Sequence, residues 1–145
     1  MRALLQRVRE ARVEVGGETV GAISFGLLIF VGVTYSDTPE TAKWLAEKSV
    51  RLRIFEHPER SGQHSLLDLG LEVLAVSQFT LYSNTNKGRR PGYDEAAPPE
   101  VAEPLFNHFV QVLRNLGVST ATGRFGAEMQ VHLVNNGPVT HWLER

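Results

Sequence analysis

The stretch that decides the fold is LLIFVGV, residues 27–33. It is a continuous run of aliphatic, β-branched and aromatic side chains, which is typical of a strand that is buried on both faces. We therefore predict that this stretch forms the central strand of a sheet. The segments before and after it should then supply the neighbouring strands and the helices that cover them.

The segment before this strand predicts a β-hairpin. Between residues 3 and 20, charged side chains alternate with valine and leucine, and Gly16 and Gly17 supply a turn. Alternation with a period of two, interrupted by a glycine pair, is the pattern of two antiparallel strands joined by a tight connection. We expect the first two strands of the sheet in this segment.

Two amphipathic helices are predicted. Thr38 is the candidate N-cap of the first helix, Pro39 is its first residue, and the helix should end near Arg53. The second helix starts at residues 98–100 and carries apolar side chains at helical spacing until Gly117 ends it.

The remaining elements are shorter. Further strands are predicted at residues 65–70, 71–82, 127–134 and 139–143. Polar connections rich in turn residues are predicted at residues 57–62, 83–93 and 122–126. The order of strands, helix, strands, helix and strands indicates an α+β fold, in which a single domain has a mostly antiparallel sheet covered by two main helices.

Composition limits the classes of function. At 145 residues the chain fits one domain, which we expect to span residues 1–145. It has no cysteine, which excludes disulfides, thiolate nucleophiles and cysteine-based zinc sites. The net charge of -1 is compatible with a local basic patch, but it excludes a strong overall attraction to nucleic acid.

The sequence also predicts a soluble, cytoplasmic protein that makes no membrane contact. Charged residues are spread over residues 1–9, so that segment has no apolar core of signal-peptide length. The longest apolar run, residues 27–33, is far shorter than the roughly 20 residues of a membrane-spanning helix.

Several catalytic classes lose their main support. The chain contains no G-x-G-x-x-G, G-x-x-x-x-G-K-[ST], H-E-x-x-H or G-x-S-x-G motif. Dinucleotide-binding, P-loop, zincin and nucleophile-elbow functions are therefore not indicated. His57 and His64 are seven residues apart, which is not a metal-ligand spacing. We expect neither a metal nor a cofactor.

The best candidates for catalysis are Ser77, Gln78, Phe79 and Thr80. Hydroxyl and amide side chains occur together here at the end of an otherwise apolar strand. Such groups can face a pocket while the strand holds their backbone N–H groups rigidly. The alternative is structural: the hydroxyls satisfy backbone groups at the strand terminus, and the amide points to solvent.

Two further segments could contact a ligand. Gly137 and Pro138 follow a strand and can aim two backbone carbonyls at a common point, although a plain turn would explain them as well. Lys87, Arg89 and Arg90, here called the basic cluster, could bind phosphates or could be ordinary surface charge. The residues alone leave both alternatives open.

Taken together, these segments resemble the D-aminoacyl-tRNA deacylases. The resemblance covers nearly the whole chain in order, and it implies the barrel-like fold of that family. It rests on MRA and QRV within residues 1–8, SQFTLY at 77–82, KGRRP at 87–91, AAPPE at 96–100, TGRFGA at 122–127 and NNGPVT at 135–140.

What the resemblance implies is a homodimeric hydrolase. Such an enzyme cleaves the ester between a D-amino acid, or glycine, and the terminal ribose of tRNA, which is chiral proofreading in translation. Ser77, Gln78 and Leu81 would form the floor of the active site. Gly137 and Pro138 would be joined by a cis bond and inserted into the partner subunit's pocket, where their carbonyls hold the substrate α-amino group and exclude an L side chain.

The resemblance also implies roles for individual residues. The backbone N–H groups of Phe79 and Thr80 would form an oxyanion hole, and the 2′-hydroxyl of the tRNA would assist proton transfer. Thr80 as a nucleophile is a weaker alternative, because no adjacent base is visible. The positions that brace the Gly-Pro segment, contact the substrate or line the pocket are Arg7, Phe125, Met129 and Asn135.

Two positions depart from the family pattern. Asn136 stands where an aspartate is common, and His141 stands where an apolar residue is common. Two other functions remain open at this point. One is a non-catalytic module that binds the acceptor end of tRNA through the basic cluster. The other is a hydrolase of small esters that uses Thr80 and His141 as a pair.

Overall fold

The computed structural model describes residues 1–86 and 88–145. Within these ranges the strands are β1 (Arg2–Val15), β2 (Glu18–Ile23), β3 (Gly26–Gly32), β4 (Phe55–His57), β5 (Arg60–His64), β6 (Glu72–Ser77), β7 (Thr120–Thr122) and β8 (Gln130–Glu144). The α-helices are α1 (Pro39–Arg51), α2 (Leu66–Leu69) and α3 (Pro99–Asn115), and a 3-10 helix spans Phe79–Tyr82.

β3 lies in the middle of the main sheet, as its apolar sequence predicts. The strand order is β2-β1-β3-β6-β7, and β8 pairs with β1. β1 is antiparallel to β2, β3 and β8, whereas β6 is parallel to both β3 and β7. The described sheet is therefore mixed, with antiparallel pairings in the majority.

β3 is apolar along its whole length because its two faces belong to two different cores. Leu27 and Ile29 pack in the larger cluster, which the helices cover. Leu28 packs on the other face, with Val8 and Leu74, inside the curled sheet. Each such fully buried aliphatic side chain contributes about 1.5–3 kcal/mol. The run from 27 to 33 thus holds the helical layer and the sheet interior together.

The sheet curls until its two end strands nearly meet. Gly21 of β2 lies so close to β7 that an added Cβ would be 2.2 Å from the carbonyl oxygen of Thr122. Curling of this kind shields strand edges that would otherwise be exposed. The fold is therefore α+β, with a nearly closed barrel and helices packed on it, which confirms the fold class expected from the sequence.

Gly21→Ala should test this closure. The added methyl group would meet backbone atoms that cannot rotate away, so we expect a loss of about 1–3 kcal/mol in the free energy of unfolding. Urea unfolding measures the change. Gly92→Ala is the control, because its Cβ would have Asp94 Oδ2 as nearest neighbour at 3.8 Å. Equal unfolding midpoints for the two variants would contradict the close approach.

α1 and α3 confirm the two main helices predicted from the sequence. Thr38 caps α1, since its hydroxyl accepts a 3.3 Å hydrogen bond from the N–H of Thr41. α1 ends at Arg51, close to the expected position, and Gly117 follows α3 with φ 83°. Among the described residues, no helix is both long enough and apolar enough to cross a membrane.

Residues 65–70 form a helical turn, so the predicted strand is wrong there. The Ser65 hydroxyl accepts a hydrogen bond from the Asp68 N–H, and the Asp68 carboxylate accepts one from the Ser65 N–H. The Ser65 N–H and hydroxyl both donate to the Asp68 carboxylate, and these two bonds hold the pKa of Asp68 below its usual range. Gly70 then ends α2 in the left-handed region, with φ 62°. The capping box outweighs the apolar pattern of this segment.

Other boundaries also differ from the predictions. The predicted loop at residues 57–62 lies within the hairpin of β4 and β5. The predicted strand at residues 71–82 ends at Ser77 and continues as the 3-10 helix. β7 was not predicted, because three residues carry too little periodicity. The two predicted C-terminal strands form one strand, β8, which contains the Gly-Pro pair.

Candidate active site

A cleft of about 560 Å³ lies between the sheet and α3. Ser77 and Gln78 line it from the end of β6, and Phe79 lines it from the start of the 3-10 helix. α3 contributes Ala102 and Phe106. A largely apolar cleft with a few convergent polar groups is the kind of concavity that binds small molecules.

The end of β6 places three of the four predicted catalytic residues at this cleft, Ser77, Gln78 and Phe79, whereas Thr80 is not among the described residues that line it. Ser77 pairs with Val31 in the sheet, and the N–H of Gln78 donates a 2.8 Å hydrogen bond to the Val31 carbonyl. The chain then turns into the 3-10 helix. This turn needs Gly32, where a Cβ would lie 3.0 Å from Cβ of Leu81 and 3.1 Å from the Gln78 carbonyl oxygen.

The start of the 3-10 helix presents two backbone N–H groups. Within residues 1–86 and 88–145, the N–H groups of Phe79 and Thr80 donate to no protein acceptor. The first N–H groups of any helix lack a partner inside that helix. Two adjacent donors beside a cleft can stabilise negative charge that develops on an oxygen.

Among the described residues, Thr80 is not hydrogen-bonded to a base. Its hydroxyl accepts a hydrogen bond from the side-chain amide of Gln78. His141 lies exposed on β8, opposite Leu5 of β1, and no hydrogen bond joins it to Thr80. The described ranges also contain no group of three or more metal-ligating side chains. Among the described residues, the polar groups at the cleft include backbone N–H groups, the Gln78 amide and the hydroxyls of Ser77 and Tyr93.

Gly137 and Pro138 lie in an irregular part of β8, opposite β1. The peptide bond between them is cis, as the resemblance implied. Asn135 closes this segment, since its side-chain oxygen accepts a 2.8 Å hydrogen bond from the Val139 N–H and its amide donates to the Val139 carbonyl at 3.3 Å. Gly137 and Pro138 are exposed, and neither lines the cleft that the described residues of this chain form.

Arg7 braces the same segment. Its Nε donates a 2.8 Å hydrogen bond to the Asn136 carbonyl, and its Nη1 donates to the Ile54 carbonyl. A planar guanidinium with several donors is suited to bridging two backbone carbonyls. Phe125 and Met129 lie elsewhere and line the cleft. Arg7 thus braces the Gly-Pro segment, whereas Phe125 and Met129 line the cleft.

The basic cluster lies on the loop that leads away from the 3-10 helix. Arg89 and Arg90 are exposed there, whereas Lys87 lies outside the described residues. Two backbone hydrogen bonds of 2.8 and 2.9 Å close the loop. Directly after it, the ring of Tyr93 lies 5.1 Å from the ring of Phe79 and also lines the cleft. The loop therefore returns to the mouth of the cleft.

Comparison with known proteins decides the family. A sequence model of the D-Tyr-tRNA(Tyr) deacylases matches residues 4–144. The chain belongs to the D-Tyr-tRNA(Tyr) deacylase family. It is therefore a hydrolase that acts on the ester bond of aminoacyl-tRNA. This confirms the resemblance seen in the sequence and removes the alternative of a purely binding module.

Individual deacylases are similar over almost their whole length. A D-aminoacyl-tRNA deacylase of Roseiflexus sp. (strain RS-1) is 56% identical over 144 residues, which cover 99% of this chain and 93% of the relative. A D-aminoacyl-tRNA deacylase of Thermosipho africanus (strain TCF52B) is 52% identical, with 99% of this chain and 97% of the relative covered.

Two solved structures share the deacylase fold. One, described as the c-Myc DNA Unwinding Element Binding Protein, has a TM-score of 0.90 and 40% identity, and the match covers 100% of this chain and 99% of the other. The second, described as a probable eukaryotic D-amino acid tRNA deacylase, has a TM-score of 0.86 and 19% identity, over 98% and 97% of the two chains. At that identity the second likeness supports the fold alone.

Two residues that contact the 3-10 helix segment were not predicted from the sequence. Gly32 permits the turn under the 3-10 helix, and a glycine inside an apolar strand was an available signal of close backbone approach. Arg2 donates a 3.0 Å hydrogen bond from Nη1 to the Leu81 carbonyl. Its partner lies 79 residues away, so no local pattern could have indicated this contact.

Proposed function

We propose that this deacylase hydrolyses the ester between a D-amino acid, or glycine, and the terminal ribose of tRNA, and that it rejects L-aminoacyl-tRNA. It acts as a chiral proofreader of translation in the cytoplasm, and residues 1–145 form one deacylase domain. The observation that carries the proposal is the pair of N–H groups of Phe79 and Thr80, which donate to no acceptor in the described chain. They belong to the start of the 3-10 helix, where Phe79 lines an apolar cleft.

In this scheme the N–H groups of Phe79 and Thr80 stabilise the oxyanion that forms when water attacks the ester carbonyl. One such donor is typically worth about 10²–10³-fold in rate. A bond forms between the water oxygen and the carbonyl carbon, and the bond to the ribose oxygen breaks. The proton lost by water passes to the leaving ribose oxygen with help from the neighbouring 2′-hydroxyl. Ser77 and Gln78 line the floor beneath the substrate.

Thr80→Val separates this scheme from nucleophilic catalysis. Valine removes the hydroxyl and keeps the backbone N–H. We expect kcat for D-tyrosyl-tRNA to stay within about tenfold of wild type, because the Thr80 hydroxyl bonds only to the Gln78 amide among the described residues. Single-turnover rates provide the measurement. A loss of about 10⁴-fold or more would instead identify Thr80 as the nucleophile.

The working site is proposed to be shared between two chains of a homodimer. Gly137 and Pro138 are exposed outside their own cleft, and Arg7 and Asn135 fix the segment that carries them. In the cleft of the partner subunit, the two carbonyls would hold the substrate α-ammonium group and occupy the space that an L side chain requires. Glycine has no side chain, so glycyl-tRNA should also be hydrolysed.

The remaining predicted residues receive supporting roles. Phe125 and Met129 line the cleft and would contact the bound end of the substrate. The basic cluster would contact phosphates of the tRNA acceptor end, and the exposed side chains of Arg89 and Arg90, on the loop that precedes the cleft-lining Tyr93, suit that task. A contact of this kind should weaken as the salt concentration rises.

Multiple-turnover hydrolysis tests the proposed function. The purified protein is mixed with an excess of D-tyrosyl-tRNA, and released tyrosine is followed over time. We expect release to exceed the molar amount of protein many times over. Release that stops at one ester per chain, or that matches the spontaneous rate, would contradict the proposal. Glycyl-tRNA measured in the same way tests the glycine part separately.

A further inference from the structure

The guanidinium of Arg2 joins β1 to the far end of the 3-10 helix. Its Nη1 donates a 3.0 Å hydrogen bond to the Leu81 carbonyl. The same guanidinium lies 4.2 Å from the centre of the Tyr82 ring, which is buried. Burial raises the pKa of the Tyr82 phenol, so the ring stays neutral under the cation. Arg2 therefore holds both the backbone and a side chain of this helix.

Arg2 is itself fixed from the side of β8. Its Nε donates a 2.9 Å hydrogen bond to the Glu144 carboxylate, and this bond holds the pKa of Glu144 below its usual range. The indole N–H of Trp142 donates to the same carboxylate at 3.4 Å. A guanidinium that is stacked on one face and hydrogen-bonded along its edge has little freedom to move.

We propose that Arg2 is a positioning residue of the deacylation reaction, which sets where the N–H groups of Phe79 and Thr80 point. The inference rests on the proposed function of those two groups. In the described part of the chain, no other side chain donates a hydrogen bond to a backbone atom of the 3-10 helix. β3 packs along the same segment, because the Gln78 N–H donates to the Val31 carbonyl and Gly32 lies close to Gln78, Leu81 and Tyr82. Arg2 adds a directed hydrogen bond to this packing.

The short length of the helix makes this contact effective. The helix has four residues, and Leu81 comes two residues after Phe79. Because a 3-10 helix rises about 2.0 Å per residue, the anchored carbonyl lies about one turn from the two N–H groups. Loss of the anchor allows the helix to rotate and both donors to change direction together. A displacement of about 1 Å at a catalytic group can cost about 10²-fold in rate.

A purely structural role for Arg2 predicts a different outcome. Arg2 also links β1 to β8 through Glu144, and loss of that link alone would lower stability without changing the catalytic step. Glu144→Gln weakens this link and leaves the hydrogen bond to Leu81. Arg2→Met keeps the apolar part of the side chain and removes both hydrogen bonds. Arg2→Lys keeps the charge and loses the fork that reaches two acceptors.

The test measures kcat and KM for D-tyrosyl-tRNA in the wild type and the three variants. We expect Arg2→Met and Arg2→Lys to lower kcat by about tenfold or more, with KM within about twofold, while Glu144→Gln keeps kcat within about twofold. Thermal unfolding of each variant shows that the assayed protein is folded. An unchanged kcat in Arg2→Met, or an equal loss of kcat in Glu144→Gln, would overturn the proposal.

A second measurement does not depend on activity. In ¹⁵N-labelled protein, the amide resonances of Phe79 and Thr80 should shift in Arg2→Lys and stay in place in Glu144→Gln. Resonances that stay in place in both variants would overturn the proposal even if activity falls. A wild-type protein without deacylation activity would contradict the proposed function. An active wild type together with a fully active Arg2→Met variant would contradict only the positioning role of Arg2.

Discussion

Gly137→Ala is expected to lower the rate of D-tyrosyl-tRNA hydrolysis by about 10²-fold or more. A Cβ at Gly137 would lie 2.7 Å from Cγ2 of Val139 and 2.8 Å from the Val139 backbone nitrogen. The φ angle of 150° is also one that L side chains rarely adopt. The backbone must therefore move, and the two carbonyls that we propose hold the substrate α-amino group move with it. Initial rates of tyrosine release give the measurement.

Gly92→Ala is the matched control for this substitution. It adds the same methyl group where the nearest described atoms are at ordinary van der Waals distance, 3.8 Å or more. It should keep the wild-type rate within about twofold. A Gly137→Ala variant that is as active as Gly92→Ala would show that the Gly-Pro segment has no part in catalysis.

Mixed dimers extend this prediction to the shared site. Chains with Gly137→Ala and chains with Phe79→Pro are refolded together, with different affinity tags to isolate the mixed species. In a shared site, the cleft of the first chain receives an intact Gly-Pro segment from the second, so one of the two sites in the dimer regains activity. Activity should therefore reappear only on mixing. Its absence in a folded mixed dimer would contradict the shared site.

Phe79→Pro is expected to lower kcat by about 10²–10³-fold relative to Phe79→Ala, because proline removes one donor of the proposed oxyanion hole. Phe79 is the first residue of the 3-10 helix, a position that accepts proline. The preceding residue, Gln78, has φ -144° and ψ 84°, outside the α region that a following proline disfavours. The N–H donates to no acceptor in the described chain, so no existing hydrogen bond is lost.

Phe79→Ala isolates the effect of the N–H from that of the ring. Both variants lose the aromatic contact with Tyr93, where the ring centres are 5.1 Å apart, but only proline removes the donor. Presteady-state rates of ester cleavage and thermal unfolding are compared for the two variants. Equal rates in two equally stable variants would exclude the Phe79 N–H from catalysis.

Local sequence signals account for much of the fold. β3 was predicted because both of its faces are buried in cores, which leaves a continuous apolar run. α1 and its Thr38 cap were predicted because capping chemistry acts within one turn. α2 shows the opposite case. Its segment was predicted as a strand from its apolar pattern, whereas the capping box of Ser65 and Asp68 makes it a helical turn.

Long-range pairings could not be predicted in the same way. The parallel placement of β6 beside β3, and of the three-residue β7 beside β6, joins segments that no local pattern connects. The candidate catalytic segment at 77–80 was predicted because polar groups end an apolar strand. The 3-10 turn that follows is contacted by Gly32 of β3 and Arg2 of β1, which no local pattern in residues 77–82 indicates.

The most direct test of the central claim compares D-tyrosyl-tRNA with L-tyrosyl-tRNA, under identical conditions and against the spontaneous hydrolysis of each ester. A site that excludes an L side chain by backbone carbonyls should discriminate by several kcal/mol, which is about 10²-fold or more in kcat/KM. We expect rapid release from the D ester and release near the spontaneous rate from the L ester. Equal rates for the two esters, or no release from the D ester, would contradict it.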